Sequence, residues 1–272
     1  MAVETGRVAL VTGASVGIGE AAARALVGAG FTVYGTSRRA AAGEKRGEVV
    51  FLPLDVTDDG SVAGVVREVL ERSGRIDILV NNAGVGVAGA AEESSIEQAR
   101  ALFETNVFGA IRMTRAVLPH MREQGSGRII NVSSVLGFLP APFMALYAAT
   151  KHAIEGYSES LDHEVRDHGV RVLLVEPGYT RTSFDTNAVT VDEPLALYAR
   201  RREASDVLTA AAVKAGDEPA VVGEAIVAAA TDTHPTLRYP AGTLARRVSK
   251  LRRYVPSALF DRQIRKTNQL AA

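Results

Sequence analysis

Short, continuously apolar runs alternate with longer amphipathic stretches along this 272-residue chain. The runs Val8–Val11, Thr32–Gly35, Val49–Leu52, Ile76–Val80, Arg128–Val132 and Arg171–Val175 have the length and branched-residue content of buried strands, with a weaker run at Leu237–Tyr239. Between them, Glu20–Val27, Ser61–Glu71, Ile96–Met121 and Leu146–Asp167 read as helices. A strand that is apolar at every position has both faces covered. The alternation therefore predicts an α/β fold, a doubly wound and mostly parallel sheet in a single domain over 1–272. Right-handed crossovers gather the carboxyl ends of such strands on one rim, where open sheets bind ligands.

Chemistry is concentrated at those strand ends. The first strand opens into Thr12-Gly13-Ala14-Ser15-Val16-Gly17-Ile18-Gly19 and then a helix. Strand, glycine turn and helix N-terminus together suit a pyrophosphate, because backbone N–H groups and the helix dipole face it and glycine permits close approach. A glycine-rich turn without a ligand is the alternative. After the fourth strand, Asn82, Ala83 and Gly84 are small enough to let the backbone pass close to a sugar. Further on, Tyr147 and Lys151 stand four residues apart on a helix, with Ser134 thirteen residues before the tyrosine. Residues at that spacing share a helix face, so the lysine ammonium would favour phenolate and draw the phenol toward neutral pH. Ser134, at the end of the Arg128 strand, supplies a hydroxyl donor on the same rim. Ser133 is the competing serine.

Composition narrows the partners. Lysine plus arginine total 31, equal to aspartate plus glutamate, so no global field favours nucleic acid. The absence of cysteine excludes disulfides and thiolate metal sites. The five histidines lack acids or cysteines at ligand spacing, so no metal is expected. No apolar run approaches the ~20 residues of a membrane span, and no signal-peptide core precedes the first strand, which leads to a cytoplasmic expectation.

Taken together, these residues resemble the short-chain dehydrogenase/reductase family in its compact single-domain branch, over about residues 5–182. The resemblance rests on the glycine motif, Asp55-Val56, Asn81-Asn82-Ala83-Gly84, Asn106, the Ser134/Tyr147/Lys151 set, and Pro177-Gly178 with Thr182, all in the family's order. It implies a Rossmann-type sheet and hydride transfer between a nicotinamide and a carbonyl or alcohol. Tyr147 would act as the general acid, Ser134 would bind the carbonyl oxygen, and Lys151 would also hold the nicotinamide ribose. Asn106 would interrupt its helix and hold a water that links the lysine to solvent. Gly13, Ser15, Gly17, Ile18, Gly19, Asn82, Ala83, Gly84, Pro177, Gly178, Thr180 and Thr182 would line the cofactor, with Asp55 and Val56 at the adenine.

The second strand ends Thr36-Ser37-Arg38-Arg39 with no carboxylate, where an acid would select NAD. Hydroxyl plus guanidinium suits a 2′-phosphate, so Ser37 and Arg38 point to NADP(H). Val16 stands where some NADP-dependent members carry an extra basic residue.

The apolar stretch Val135–Leu146 is expected to wall a pocket for a hydrophobic ketone, aldehyde or secondary alcohol, closer to the hydroxysteroid and retinol dehydrogenase branch. A lid is expected at about 183–215 and a variable, basic segment at about 240–272. Apolar positions Phe103, Val107, Ile111, Ile154, Tyr157 and Leu161 exceed one helical stripe and lead to a homodimer or homotetramer. A catalytically silent NADP-binding regulator, a carrier-protein-linked β-ketoacyl reductase, and a nucleotide-sugar epimerase or dehydratase are the competing functions.

Overall fold

The structure, a computed structural model, describes residues 6–184 and 188–270; of the expected lid, 185–187 lie outside the described residues. The elements run β1 (Val8–Val11), α1 (Gly17–Gly28), β2 (Thr32–Ser37), β3 (Glu44–Arg46), β4 (Val49–Pro53), α2 (Asp59–Ser73), β5 (Ile78–Asn81) and β6 (Val87–Ala88). They continue with α3 (Ile96–Phe103), α4 (Gly109–Glu123), β7 (Gly127–Val132), α5 (Ala145–Val165), β8 (Val170–Pro177), β9 (Val189–Thr190), α6 (Ala199–Lys214) and α7 (Pro219–Thr231). β10 (Arg238–Ala241), α8 (Gly242–Tyr254) and α9 (Ser257–Thr267) complete the described chain. Eight strands form one sheet in the order β10-β8-β7-β5-β1-β2-β4-β3, parallel throughout except where β3 pairs antiparallel with β4.

Strand pleating divides the core in two. In β1, Ala9 and Val11 face Ala22 and Leu26 of α1 and Val222 and Ile226 of α7, whereas Val8 and Leu10 face Val62, Val66, Met113, Val117 and Leu161 from α2, α4 and α5. That two-sided burial is why the strands are apolar at successive positions. Helix α2 has clear ends: Asp58 caps it by accepting from Ser61 N at 2.6 Å, and Gly74 closes it in the left-handed region at φ 71°.

Three features depart from the pattern reading. β3 is Glu-Lys-Arg, too charged to read as a strand; it sits at the sheet edge, where charge discourages pairing with other chains. The stretch Ile96–Met121 is not one regular helix, because α3 passes into α4 through a π-helical turn at Glu104–Phe108. The apolar surplus on α3–α5 is largely consumed within the chain. Val107 and Ile154 are buried with Leu174, and Phe103 and Ile111 pack against them, while Leu161 and Tyr157 join the core under β1.

Polar side chains that cross the core are linked in hydrogen-bonded chains. Asn81 Nδ2 donates to Asn131 Oδ1 at 2.8 Å, and Asn131 Nδ2 to Ser158 Oγ at 2.8 Å, which ties β5 to β7 and α5. Asp162, 1% exposed, accepts from Val172 N at 2.9 Å and from Arg171 Nε at 2.8 Å, with Arg166 beside it. Burial pushes its pKa up, but the Arg171, Val172 and Arg166 donors outweigh that and hold it below the usual carboxylate range. Its stabilising effect is therefore present above the unfolded pKa near 4 and is lost as pH falls through the lower folded value. Asp162→Ala removes the carboxylate partner of Arg171 and the acceptor of the Val172 amide, so denaturant unfolding at pH 7 should show a loss of about 3–5 kcal/mol. The wild-type advantage over this variant should shrink below pH 4.

Candidate active site

The strand ends of β1, β2, β4, β5, β7 and β8 meet on one rim, and nearly all the residues singled out above lie along it. Gly13 and Gly17 adopt φ +65° and +61°, conformations that favour glycine. A Cβ on Gly19 would lie 2.2 Å from Gly13 O, and one on Gly13 would lie 3.0 Å from the Ala83 backbone. No side chain caps α1, so its first amides stay available to an anion. Thr182 stands over this turn, since a Cβ on Gly17 would lie 3.2 Å from its methyl group. Ser15 and Ile18 are half-buried on the same turn.

The turn is braced by side chains. Thr12 Oγ accepts from Asn82 N and Ala83 N, each at 3.0 Å, and Asn82 Nδ2 donates to Thr12 O at 3.0 Å and Gly13 O at 3.1 Å. Asn82 thus spends its amide on the glycine turn itself. Thr12 joins the set as a residue that its place in the motif alone did not single out. The cradle of glycines, open amides and Thr182 fits a dinucleotide pyrophosphate.

On the adenosine side, Arg38 is exposed and Ser37 half-buried at the end of β2. Asp55 Oδ1 accepts from Thr57 N at 2.9 Å and Thr57 Oγ at 2.7 Å. Those bonds, with the charge of Arg38 as a smaller influence, hold the Asp55 carboxyl below its usual pKa. Arg38 and Asp55 therefore face one region. Val56 is buried against Gly109 at the start of α4.

On the reactive side, α5 carries Tyr147 and Lys151, both at most 9% exposed. The lysine Nζ lies 5.6 Å from the Tyr147 ring centre and donates to Val132 O at 2.9 Å, two residues before Ser134. Burial lowers the pKa of Lys151 to about 8. Ser134 Oγ accepts from Leu136 N at 3.1 Å, and Leu136 lies in the turn that follows β7. Asn106 sits in the π-helical turn; its Oδ1 accepts from Val85 N at 2.8 Å and its Nδ2 donates to Val85 O at 2.9 Å. Gly84 lies against its carboxamide, and Thr150 on α5 accepts a further bond from it at 3.2 Å. Pro177 is buried at the end of β8, Gly178 lies beneath Leu244, and the Thr180 hydroxyl is committed to Gly178 O at 3.2 Å.

Apolar groups flank the centre. Phe184 stacks at a tilt on Tyr147, with ring centres 5.7 Å apart. Leu136 and Phe138 are half-buried beside Val135, Leu139 and Ala245 of α8. Phe143 holds a positive φ of 62° and meets Tyr198 edge-on at 6.4 Å. The segment after β8 is fastened by Glu93. This fully buried carboxylate accepts from Ala90 N and Leu195 N, each at 2.9 Å, and pairs with Arg202. In sequence, Glu92-Glu93-Ser94-Ser95 looks like an ordinary solvated loop, and nothing local marks Glu93 as a latch.

Comparison with known proteins agrees with this geometry: the family model of the short chain dehydrogenases matches residues 7–192. The chain belongs to the short-chain dehydrogenase family. It is an oxidoreductase of that family. It is 43% identical over 181 residues to a 3-ketodihydrosphingosine reductase from Bacteroides thetaiotaomicron, a match covering 66% of each chain. A short-chain dehydrogenase/reductase from Burkholderia phymatum in complex with NAD is 28% identical, with a TM-score of 0.78 over 93% of this chain and 95% of that one. A Burkholderia cenocepacia short-chain dehydrogenase in complex with NADP is 29% identical, with a TM-score of 0.75 over 94% and 97%. Neighbours of this short-chain dehydrogenase therefore hold either nicotinamide dinucleotide. Among the described residues, no helix is long and apolar enough to cross a membrane, and no group of three potential ligands could hold a metal ion.

The buried ammonium has a measurable cost. A fall from 10.5 to about 8 corresponds to roughly 3 kcal/mol of destabilisation at neutral pH. That penalty is complete below pH 8, where Lys151 is charged in both states, and disappears as pH rises toward the unfolded value of 10.5. Lys151→Met without added cofactor should therefore melt several degrees above wild type at pH 7, and the gap should close by pH 10.5.

Proposed function

We propose that this short-chain dehydrogenase uses NADP(H) to interconvert a hydrophobic ketone or aldehyde and its alcohol, with Ser134, Tyr147 and Lys151 as catalytic residues. The observation that carries the reading is the buried Lys151 ammonium, which shares a face of α5 with Tyr147 and donates, among the described residues, to the Val132 carbonyl. A lysine has three N–H donors, so this one keeps two for the nicotinamide ribose and for the phenol side. The cofactor supplies the hydride that the carbonyl carbon accepts. Tyr147 gives its phenolic proton to the carbonyl oxygen, and the nearby ammonium stabilises the phenolate left behind. Ser134 Oγ already accepts the Leu136 amide, so its own hydrogen is free to point at the same oxygen, where negative charge develops. Asn106, set in a π-helical turn, supports the route by which a water returns protons to the lysine.

Phe184, Leu136, Phe138 and Leu244 support a hydrophobic substrate. So does the Bacteroides relative, which is named for reduction of a keto lipid. The segment from Phe184 to Lys214, anchored through Glu93, acts as the lid. A homodimer or homotetramer through the α4 and α5 faces belongs to the same reading, with Phe108 48% exposed beside them. NADP(H) is favoured over NAD(H) because β2 ends in Ser37 and Arg38 with no carboxylate, beside Asp55.

Tyr147→Phe should lower kcat for reduction of hydrophobic carbonyl compounds by about 10²–10⁴ while NADPH affinity, read by fluorescence titration, stays within a few-fold. Turnover within tenfold of wild type would remove Tyr147 from the mechanism. Because Lys151 loses its proton as pH rises through about 8, NADPH affinity should weaken on the alkaline side, and Lys151→Ala should abolish that limb.

For cofactor choice, kcat/KM with NADPH should exceed that with NADH. Arg38→Ala should lose most of the preference, consistent with about 1.5–3 kcal/mol for a hydrogen bond to a charged group. Ser37→Asp should move the preference toward NADH. A wild type that prefers NADH would overturn the assignment.

A further inference from the structure

One turn beyond Lys151 on α5 lies an ionic cluster. Arg238 of β10 contacts three carboxylates: Nη1 bonds Glu176 Oε1 at 2.8 Å and Glu155 Oε2, and Nη2 meets Glu159 Oε1 at 2.9 Å. Glu155 is 5% exposed and Glu176 1%, whereas Glu159 reaches solvent. Three enclosed atoms here have no hydrogen-bond partner among the described residues: Glu155 Oε1, Glu176 Oε2 and Ser133 Oγ.

The cluster adjoins two loops of the proposed site. Gly137 rests directly on it, since a Cβ there would lie 2.6 Å from Ser133 Oγ and 2.9 Å from Glu155 Oε1. Gly137 N in turn donates to Ser134 O at 2.8 Å, so the floor of the Ser134 turn is Glu155. Glu176 immediately precedes Pro177-Gly178. One guanidinium cannot neutralise two buried carboxylates together with Glu159, and enclosed like charges force one group to keep its proton. Burial and the neighbouring Glu159 carboxylate raise Glu176 to about 7, which makes it the group that does so. The ionic groups facing it are Glu155 and Glu159 from α5 and Arg238 from β10; Ser133, after β7, faces Glu155.

We propose that Glu155 and Glu176, bridged by Arg238 and holding one proton between them, are positioning residues that lock the Ser134 turn and the Pro177-Gly178 loop against α5. This rests on the oxidoreductase reading above. Ionisation of Glu176 adds an uncompensated charge beside Glu155, which supports Gly137, and loosens the turn, so kcat falls as pH rises through about 7, while cofactor affinity, governed by Lys151, does not.

The test uses the full chain in three measurements. First, kcat and NADPH affinity are followed from pH 5.5 to 8.5 in wild type, Glu176→Gln and Arg238→Ala. Glu176→Gln should lose the kcat inflection near 7, and Arg238→Ala should lower kcat at least tenfold with NADPH affinity within twofold. Arg238→Lys should recover part of that loss. Second, amide exchange at Leu136 and Gly137 should be at least tenfold faster in Arg238→Ala.

Third, thermal unfolding separates this proposal from the activity itself. Glu176, raised above its unfolded pKa of 4.5, contributes stability that is present below that value and lost as pH rises through about 7. The melting temperature of Glu176→Gln should therefore gain on wild type between pH 5 and pH 8. If no carbonyl compound is turned over, the reaction assignment fails, but the exchange and unfolding results still judge the cluster. A Glu176→Gln variant that keeps the wild-type inflection, a melting difference independent of pH, or unchanged exchange in Arg238→Ala would overturn the proposal.

Discussion

A buried ammonium held by a backbone carbonyl, Lys151 Nζ on Val132 O, is the contact on which the arrangement of this site depends. It joins the helix that carries Tyr147 to the end of β7, two residues before Ser134, and so sets the Tyr147 and Ser134 hydroxyl groups in one frame. Desolvation lowers the lysine pKa to about 8, which is costly for the fold and suits the role proposed for it beside the Tyr147 phenol. Structures keep such a cation only where surrounding packing is strong. Here α5 is held by the Asn81–Asn131–Ser158 chain on one side of the lysine and by Asp162 near its C-terminal end.

Around that contact, the rim is built by glycines that neighbouring backbone or side chains approach too closely for a Cβ. Gly13 against Ala83, Gly19 against Gly13, Gly84 against Asn106 and Gly137 against Glu155 are four such approaches. Each fixes one loop relative to another, and polar side chains then lock the pair: Thr12 and Asn82 for the first two, Asn106 for the third. The outcome is a rigid floor at the glycine turn. The roof is fastened differently, through one buried carboxylate, Glu93, that gathers the segment around Leu195 and Arg202.

Legibility in the sequence followed the range of the interactions involved. The strands were readable because two-sided burial forces continuous apolar runs, whereas α2 extends two residues beyond the expected Ser61–Glu71 at each end, between its Asp58 and Gly74 caps. The glycine turn and the Tyr147/Lys151 spacing were readable because both are local geometry. β3 was hidden because an edge strand needs charge rather than apolar residues. Part of the apolar surplus on α3–α5 is covered within the chain by Leu174 and Leu237, a contact that no local signal announces.

The sequence by itself determined the fold class and the family, and it pointed to the glycine cradle and to the proposed reactive side chains Ser134, Tyr147 and Lys151, because each depends on residues close together in the chain or on a repeating pattern. Only the tertiary structure decided how they work together. It brought Arg238 from the edge strand onto Glu155 and Glu176, Glu93 onto Arg202 across more than a hundred residues, and Lys151 onto Val132. Those contacts join charges and carbonyls distant in sequence. Their strength comes from the low-dielectric interior that exists only once the sheet has closed over them.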